Sequence, residues 1–94
     1  MSHRLTYGIV RDAPRRVIHV VRVQDEILEA PEIVDIAERM RERLAARGEA
    51  LADIVVIQGD FKETLRLFGA AYSVGRVRAA LFNAALSWSP LDLE

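Results

Sequence analysis

The residues best placed to do chemistry stand at the end of a β-branched run: Val55-Val56-Ile57-Gln58 leads into Gly59-Asp60, with Lys62 and Arg66 just beyond. A glycine at a strand end lets a ligand approach backbone N–H groups, and the N-terminus of a following helix carries partial positive charge. Gly59, Asp60, Lys62 and Arg66 are therefore candidate binding residues for a small anion or nucleotide-like ligand. The run lacks both the Gly-x-Gly-x-x-Gly fingerprint and a phosphate loop ending Gly-Lys-Ser/Thr. Asp60 would itself fill or repel an anion site, which Lys62 and Arg66 only partly offset. The plainer reading is a glycine turn with an aspartate cap.

Of the two histidines, His3 lies near the N-terminus and His19 sits in Val17-Ile18-His19-Val20-Val21. An imidazole on an apolar strand face acts as a base near neutral pH if a carboxylate orients it. Asp12 lies across a turn, Asp53 and Asp60 flank the third strand, and Ser73 is farther along, so spacing alone assembles no Ser/His/Asp set. The expectation is a structural histidine. The chain has no cysteine, which excludes disulfides, thiolate catalysis and cysteine-ligated metal. It also has no His-x-x-x-His, Glu-x-x-His or calcium-type acidic loop. No cofactor or metal is expected, and the shortage of groups that could cooperate argues against an enzyme. The acidic stretch Asp25-Glu26, Glu29 and Glu32 reads as a solvated connector and helix start.

Arg11, Arg15, Arg16 and Arg22 cluster with Tyr7 around the first turn and could contact a phosphate backbone. Strand alternation splits Arg15 from Arg16 and Arg22, and Asp12 dilutes the field. A charged sheet edge that discourages aggregation accounts for them better than nucleic acid. Thirteen basic against fourteen acidic residues leave a net charge of -1, so no global attraction to nucleic acid or anionic membrane exists. The basic residues are twelve Arg and the single Lys62, a bias that suggests GC-rich bacterial coding. The N-terminus shows no secretory signal, and no apolar run approaches the roughly 20 residues that span a bilayer. The expectation is a cytoplasmic protein.

The last third of the chain carries Phe61, Phe68, Tyr72, Val74, Val77, Leu81, Phe82, Leu86 and Trp88. That is more apolar surface than one helix stripe buries. Phe82, Leu86 and Trp88 are the candidate interface, either for a homodimer or for another protein. The competing arrangement folds Trp88 and the tail back over the strip within one chain.

The elements that must position these groups follow from periodicity. Ninety-four residues with 51% hydrophobic and 29% charged content suit one folded domain rather than two or a disordered chain. Leu5 to Arg11 and Arg16 to Gln24 read as a hairpin around Asp12-Ala13-Pro14-Arg15. In its second strand Val17, His19, Val21 and Val23 share one face, and Arg16, Ile18, Val20 and Arg22 the other. Pro31 opens a helix and Gly48 closes it, with Ile33, Ile36, Ala37, Met40 and Leu44 as its stripe. Asp53 to Gln58 reads as a strand buried on both faces and parallel to the second strand.

A helix carrying Phe61, Leu65 and Phe68 is expected next, ended by Gly69. A last helix follows, capped by Ser73, with Val74, Val77, Leu81 and Ala84 or Ala85 as its apolar face. The alternative is one long bent helix over 61–86. The expected fold is a small two-layer α/β domain of order β-β-α-β-α-α over residues 1–94, with a mixed three-stranded sheet and helices mainly on one face. Residues 1–4 are expected to be flexible and 88–94 to form an extended arm. Function is expected to be non-enzymatic: self-association or partner binding through the C-terminal segment. A small anionic ligand at Gly59-Asp60 and nucleic acid at the hairpin are the alternatives.

Overall fold

A computed structural model describes residues 4–14, 16–59 and 64–93. The hairpin forms as its turn chemistry predicts: β1 (Leu5–Ala13) and β2 (Arg16–Val23) pair antiparallel, with His19 opposite Ile9 and Val21 opposite Tyr7. Helix α1 (Ala30–Ala45) then crosses over, and β3 (Asp53–Gln58) returns parallel to β2, with Ile54 beside His19. A strand followed by a long helical crossover and a parallel strand is the usual route to such a pair. The five α1 residues on the expected stripe, Ile33, Ile36, Ala37, Met40 and Leu44, are all buried. The Glu29 N–H donates to the Glu32 side chain at the helix start, and Gly48 takes a positive φ just past the helix end.

The sheet has five strands in the order β4-β3-β2-β1-β5, not three. Leu65–Phe68, expected as part of a helix, is strand β4, antiparallel to β3. Its four residues fit a helical stripe and a two-residue alternation equally well, and periodicity cannot separate the two over so short a run. The outer edge of β3 decides, because its backbone groups need a partner. A continuous helix over 61–86 is thereby overturned; only α2 (Val74–Asn83) is helical among the described residues of that span. The tail forms β5 (Ser89–Leu91), which pairs with Leu5, Thr6 and Tyr7 at the start of β1. From Gly8 onward β1 has no strand on that side among the described residues.

The helices lie on opposite faces of the sheet, which corrects the two-layer expectation. One core joins α1 to Val21, Val23, Ile54 and Val56. The other joins Val77 and Leu81 of α2 to Ile18, Val20, Val55 and Ile57. Adjacent residues in β2 and β3 thus feed different cores, as the period-two geometry of a strand requires. On the second face of β2, Ile18 and Val20 are fully buried between exposed Arg16 and half-buried Arg22. Val74 departs from the expected apolar face of α2 and remains exposed at its margin. No helix is long and apolar enough to cross a membrane among the described residues.

Candidate functional site

The end of the sheet where β3 begins carries a cleft of about 490 Å³, lined by Arg16, His19, Glu49, Leu51, Asp53 and Tyr72 among others. Its residues come from four segments, with Ala71 and Tyr72 supplied by the loop before α2. His19 lies near the start of β2, Asp53 opens the parallel neighbour β3, and the turn after α1 delivers Gly48 to Ala52 between them.

His19 is buried, at 2% exposure. The Tyr7 hydroxyl meets its Nδ1 at 2.6 Å, and the two rings stack with centroids 5.9 Å apart. Its Nε2 lies 3.3 Å from Glu49 Oε1 but makes no aligned hydrogen bond there. A neutral imidazole carries one N–H, and placing it on Nε2 turns a donor rather than a lone pair toward the Glu49 carboxylate. Nδ1 then accepts from the Tyr7 O–H. Burial pushes the imidazole below its ordinary value, opposed by the attraction of Glu49. Burial likewise raises the Tyr7 phenol, opposed by the neighbouring Arg47 guanidinium.

Asp53, fully buried, holds the loop before α2. Its carboxylate accepts the Ala71 N–H at 3.2 Å and the Tyr72 N–H at 3.0 Å. A Cβ at Gly69 would collide with this carboxylate, so glycine there is a matter of close approach rather than the helix stop expected from sequence. The Arg41 guanidinium donates to the carbonyls of Ala50, Ala52 and Phe68. Arg16 and Arg76 each lie 5.9 Å from the Tyr72 ring centroid, and the Tyr72 hydroxyl is buried without a hydrogen-bond partner.

Of the carboxylates considered as partners from sequence, the two among the described residues, Asp12 and Asp53, do not orient His19. Asp12 pairs with Arg76 at 2.9 Å, Asp53 lies on the other face of the sheet, and Asp60 lies outside the described residues. Ser73 caps α2, accepting the Arg76 N–H at 3.2 Å. Glu49 takes the role instead, and its only sequence signal is its place immediately after the helix-stopping Gly48. Sequence reading also missed Gln58. Its side-chain amide accepts from the Leu28 N–H at 2.8 Å and donates to the Leu28 carbonyl at 3.4 Å, fixing the connector into α1.

Of the four candidate anion-binding residues, Asp60 and Lys62 lie outside the described residues. Gly59 adopts φ 62°, and a Cβ there would meet open space. The glycine thus serves the turn conformation. Arg66 is exposed and borders a depression of about 250 Å³ with Gln58 and Thr64. Among the hairpin arginines, Arg16 lies over Tyr72 and Arg22 lies 5.8 Å from the Trp88 ring centroid; Arg15 lies outside the described residues.

The candidate interface residues separate. Phe82 is 68% exposed on α2. Leu86 and Trp88 pack against the core on the α2 side of the sheet, and a Cβ at Gly8 would meet Leu86 Cδ2 at 3.2 Å. Among the described residues no group of three His, Asp or Glu side chains is arranged to hold a metal ion. The class defined by this arrangement is an α/β/α sandwich of five mixed strands with a polar cleft at one sheet end. No family model, curated protein or solved structure matches the chain.

Proposed function

We propose that this is a non-enzymatic binding domain that associates with a second copy of itself through the outer side of α2. The observation that carries the reading is the exposure of Phe82, at 68%, together with Val74, at 41%. Val74, Arg78 and Phe82 stand at i, i+4 and i+8, so they form one ridge about 12 Å long beside the buried Val77–Leu81 pair. An exposed phenylalanine at the end of such a ridge gives a partner an aromatic anchor. The two nitrogens of His19 face Tyr7 and Glu49, and Asp53 is held by peptide N–H groups. These groups are positioned by one another, which favours binding over acid–base turnover.

Sedimentation equilibrium tests the reading. The native chain should associate with rising concentration, and Phe82→Glu should remain monomeric with unchanged helical circular dichroism. A native chain that stays monomeric at every concentration removes self-association. The other two readings have less beneath them, because Gly59 borders open space and Arg16 and Arg22 lie over aromatic rings.

A further inference from the structure

The cleft holds two groups that the fold leaves unsatisfied. His19 and Tyr72 are both more than nine-tenths buried, both line the cleft, and His19 Nε2 and the Tyr72 hydroxyl have no hydrogen-bond partner. A buried polar atom without a hydrogen bond is destabilising, and native structures keep few of them without a role. The Glu49 carboxylate facing Nε2 places the imidazole N–H there and leaves Nδ1 to accept from Tyr7, so whatever completes Nε2 is an acceptor.

The group now facing it is a carboxylate. Glu49 Oε1 stands 3.3 Å from His19 Nε2, and Glu49 Oε2 stands 3.7 Å from Arg47 Nη2. Charge-assisted bonds close to about 2.7–2.9 Å at their strongest, so at 3.3 Å and without an aligned hydrogen bond Glu49 holds His19 only loosely. Its side chain is 41% exposed on the turn after α1 and has room to swing outward. Arg16 lines the cleft, and Arg41 and Arg47 contact its lining residues Ala50 and Glu49, against two carboxylates, of which Asp53 is held by two N–H groups. With Glu49 turned out, the local charge is positive.

We propose that the cleft is a binding site for a small organic carboxylate, which replaces Glu49 at His19 Nε2 and Arg47 and is met at the mouth by Arg16. A planar carboxylate already fits the niche, and a volume of about 490 Å³ lies within the range of small-molecule sites. The Tyr72 hydroxyl supplies a second hydrogen-bonding group, and Leu51, exposed at the rim, supplies apolar surface. Nothing in this site depends on α2 association.

The test is a titration with sodium malonate at fixed pH, against sodium chloride at matched ionic strength. It is read by the nitrogen resonances of the His19 ring and the amides of Leu51 and Ala52. Malonate should move them saturably. Glu49→Ala should bind about tenfold tighter and Arg47→Gln about tenfold weaker, the scale of one charge-assisted bond. His19→Gln should abolish the response; if that variant does not fold, the exposed Arg47 substitution carries the test. Resonances that stay put, move equally with chloride, or respond to phosphate as strongly as to malonate would overturn the assignment. So would a Glu49→Ala variant that binds no tighter than the native chain.

Discussion

Tyr7 Oη and His19 Nδ1 stand 2.6 Å apart on adjacent strands, and with Glu49 facing Nε2 the Tyr7 hydroxyl is left to donate to Nδ1. Tyr7→Phe keeps the ring stacked on His19 but leaves Nδ1 buried without a donor. The variant should lose about 1–3 kcal/mol of folding stability, measured by urea unfolding at neutral pH with an unchanged m value. A loss under about 0.5 kcal/mol would mean that the hydroxyl is dispensable to the imidazole.

His19 also gives stability a pH dependence. Its folded value is lowered from 6.5 by burial, against Glu49. Below that ordinary value the unfolded chain takes up a proton that the folded chain resists. Stability is therefore complete above about pH 6.5 and falls as pH drops toward the lowered folded value. Urea midpoints between about pH 7 and about pH 5 should decline in the native protein and decline less in His19→Gln. Equal declines would place the proton uptake on another group.

Two glycines should respond in opposite directions. Gly69→Ala drives a methyl into the Asp53 carboxylate and disturbs its bonds to Ala71 and Tyr72, for an expected loss of about 1–3 kcal/mol. Gly75 lies in the first turn of α2 with open space at its Cβ. Gly75→Ala should add about 0.5 kcal/mol through helix propensity and a less free unfolded chain. Thermal melts of the two variants should fall on either side of the native curve.

Gln58→Met should cost about 1–3 kcal/mol, because both polar groups of the Leu28 peptide lose their side-chain partner in a buried place. Hydrogen exchange should locate the effect. The Leu28 amide should lose protection more than the amides within β3 do. Uniform loss across β3 would contradict a local clamp.

The legible parts of this fold were those with long or strongly patterned signals. The α1 stripe from Ile33 to Leu44, the hairpin, the buried β3 run and its parallel pairing to β2 all follow from spacing and turn residues. Leu65–Phe68 did not, since four residues cannot distinguish a stripe from an alternation, and only the open edge of β3 resolves it. The two-sided placement of the helices was written in β2, where apolar residues occupy both faces. Arg16 and Arg22 bound that second face without keeping Ile18 and Val20 from full burial. At the cleft, His19 stood out for its apolar neighbours, but Glu49 and Tyr7 reach it by tertiary contact, which spacing does not encode. Trp88 illustrates the same limit: its burial depends on a tail returning to β1, beside a glycine that makes room for it.

The pairing of Leu5 with Leu91 sets a timetable for synthesis. β1 and β2 are close in sequence and can zip together soon after leaving the ribosome. The opening residues of β1, however, have no neighbour on their outer side until Ser89–Leu91 has emerged. At about 5–20 residues per second of elongation, that interval lasts on the order of several seconds. The thermodynamic penalty for joining such distant segments grows only logarithmically with their separation, so the finished sheet suffers little. The growing chain instead carries an uncovered strand, open to pairing with a neighbouring nascent chain, and Arg4 and Arg11 flank that stretch with charge throughout the wait.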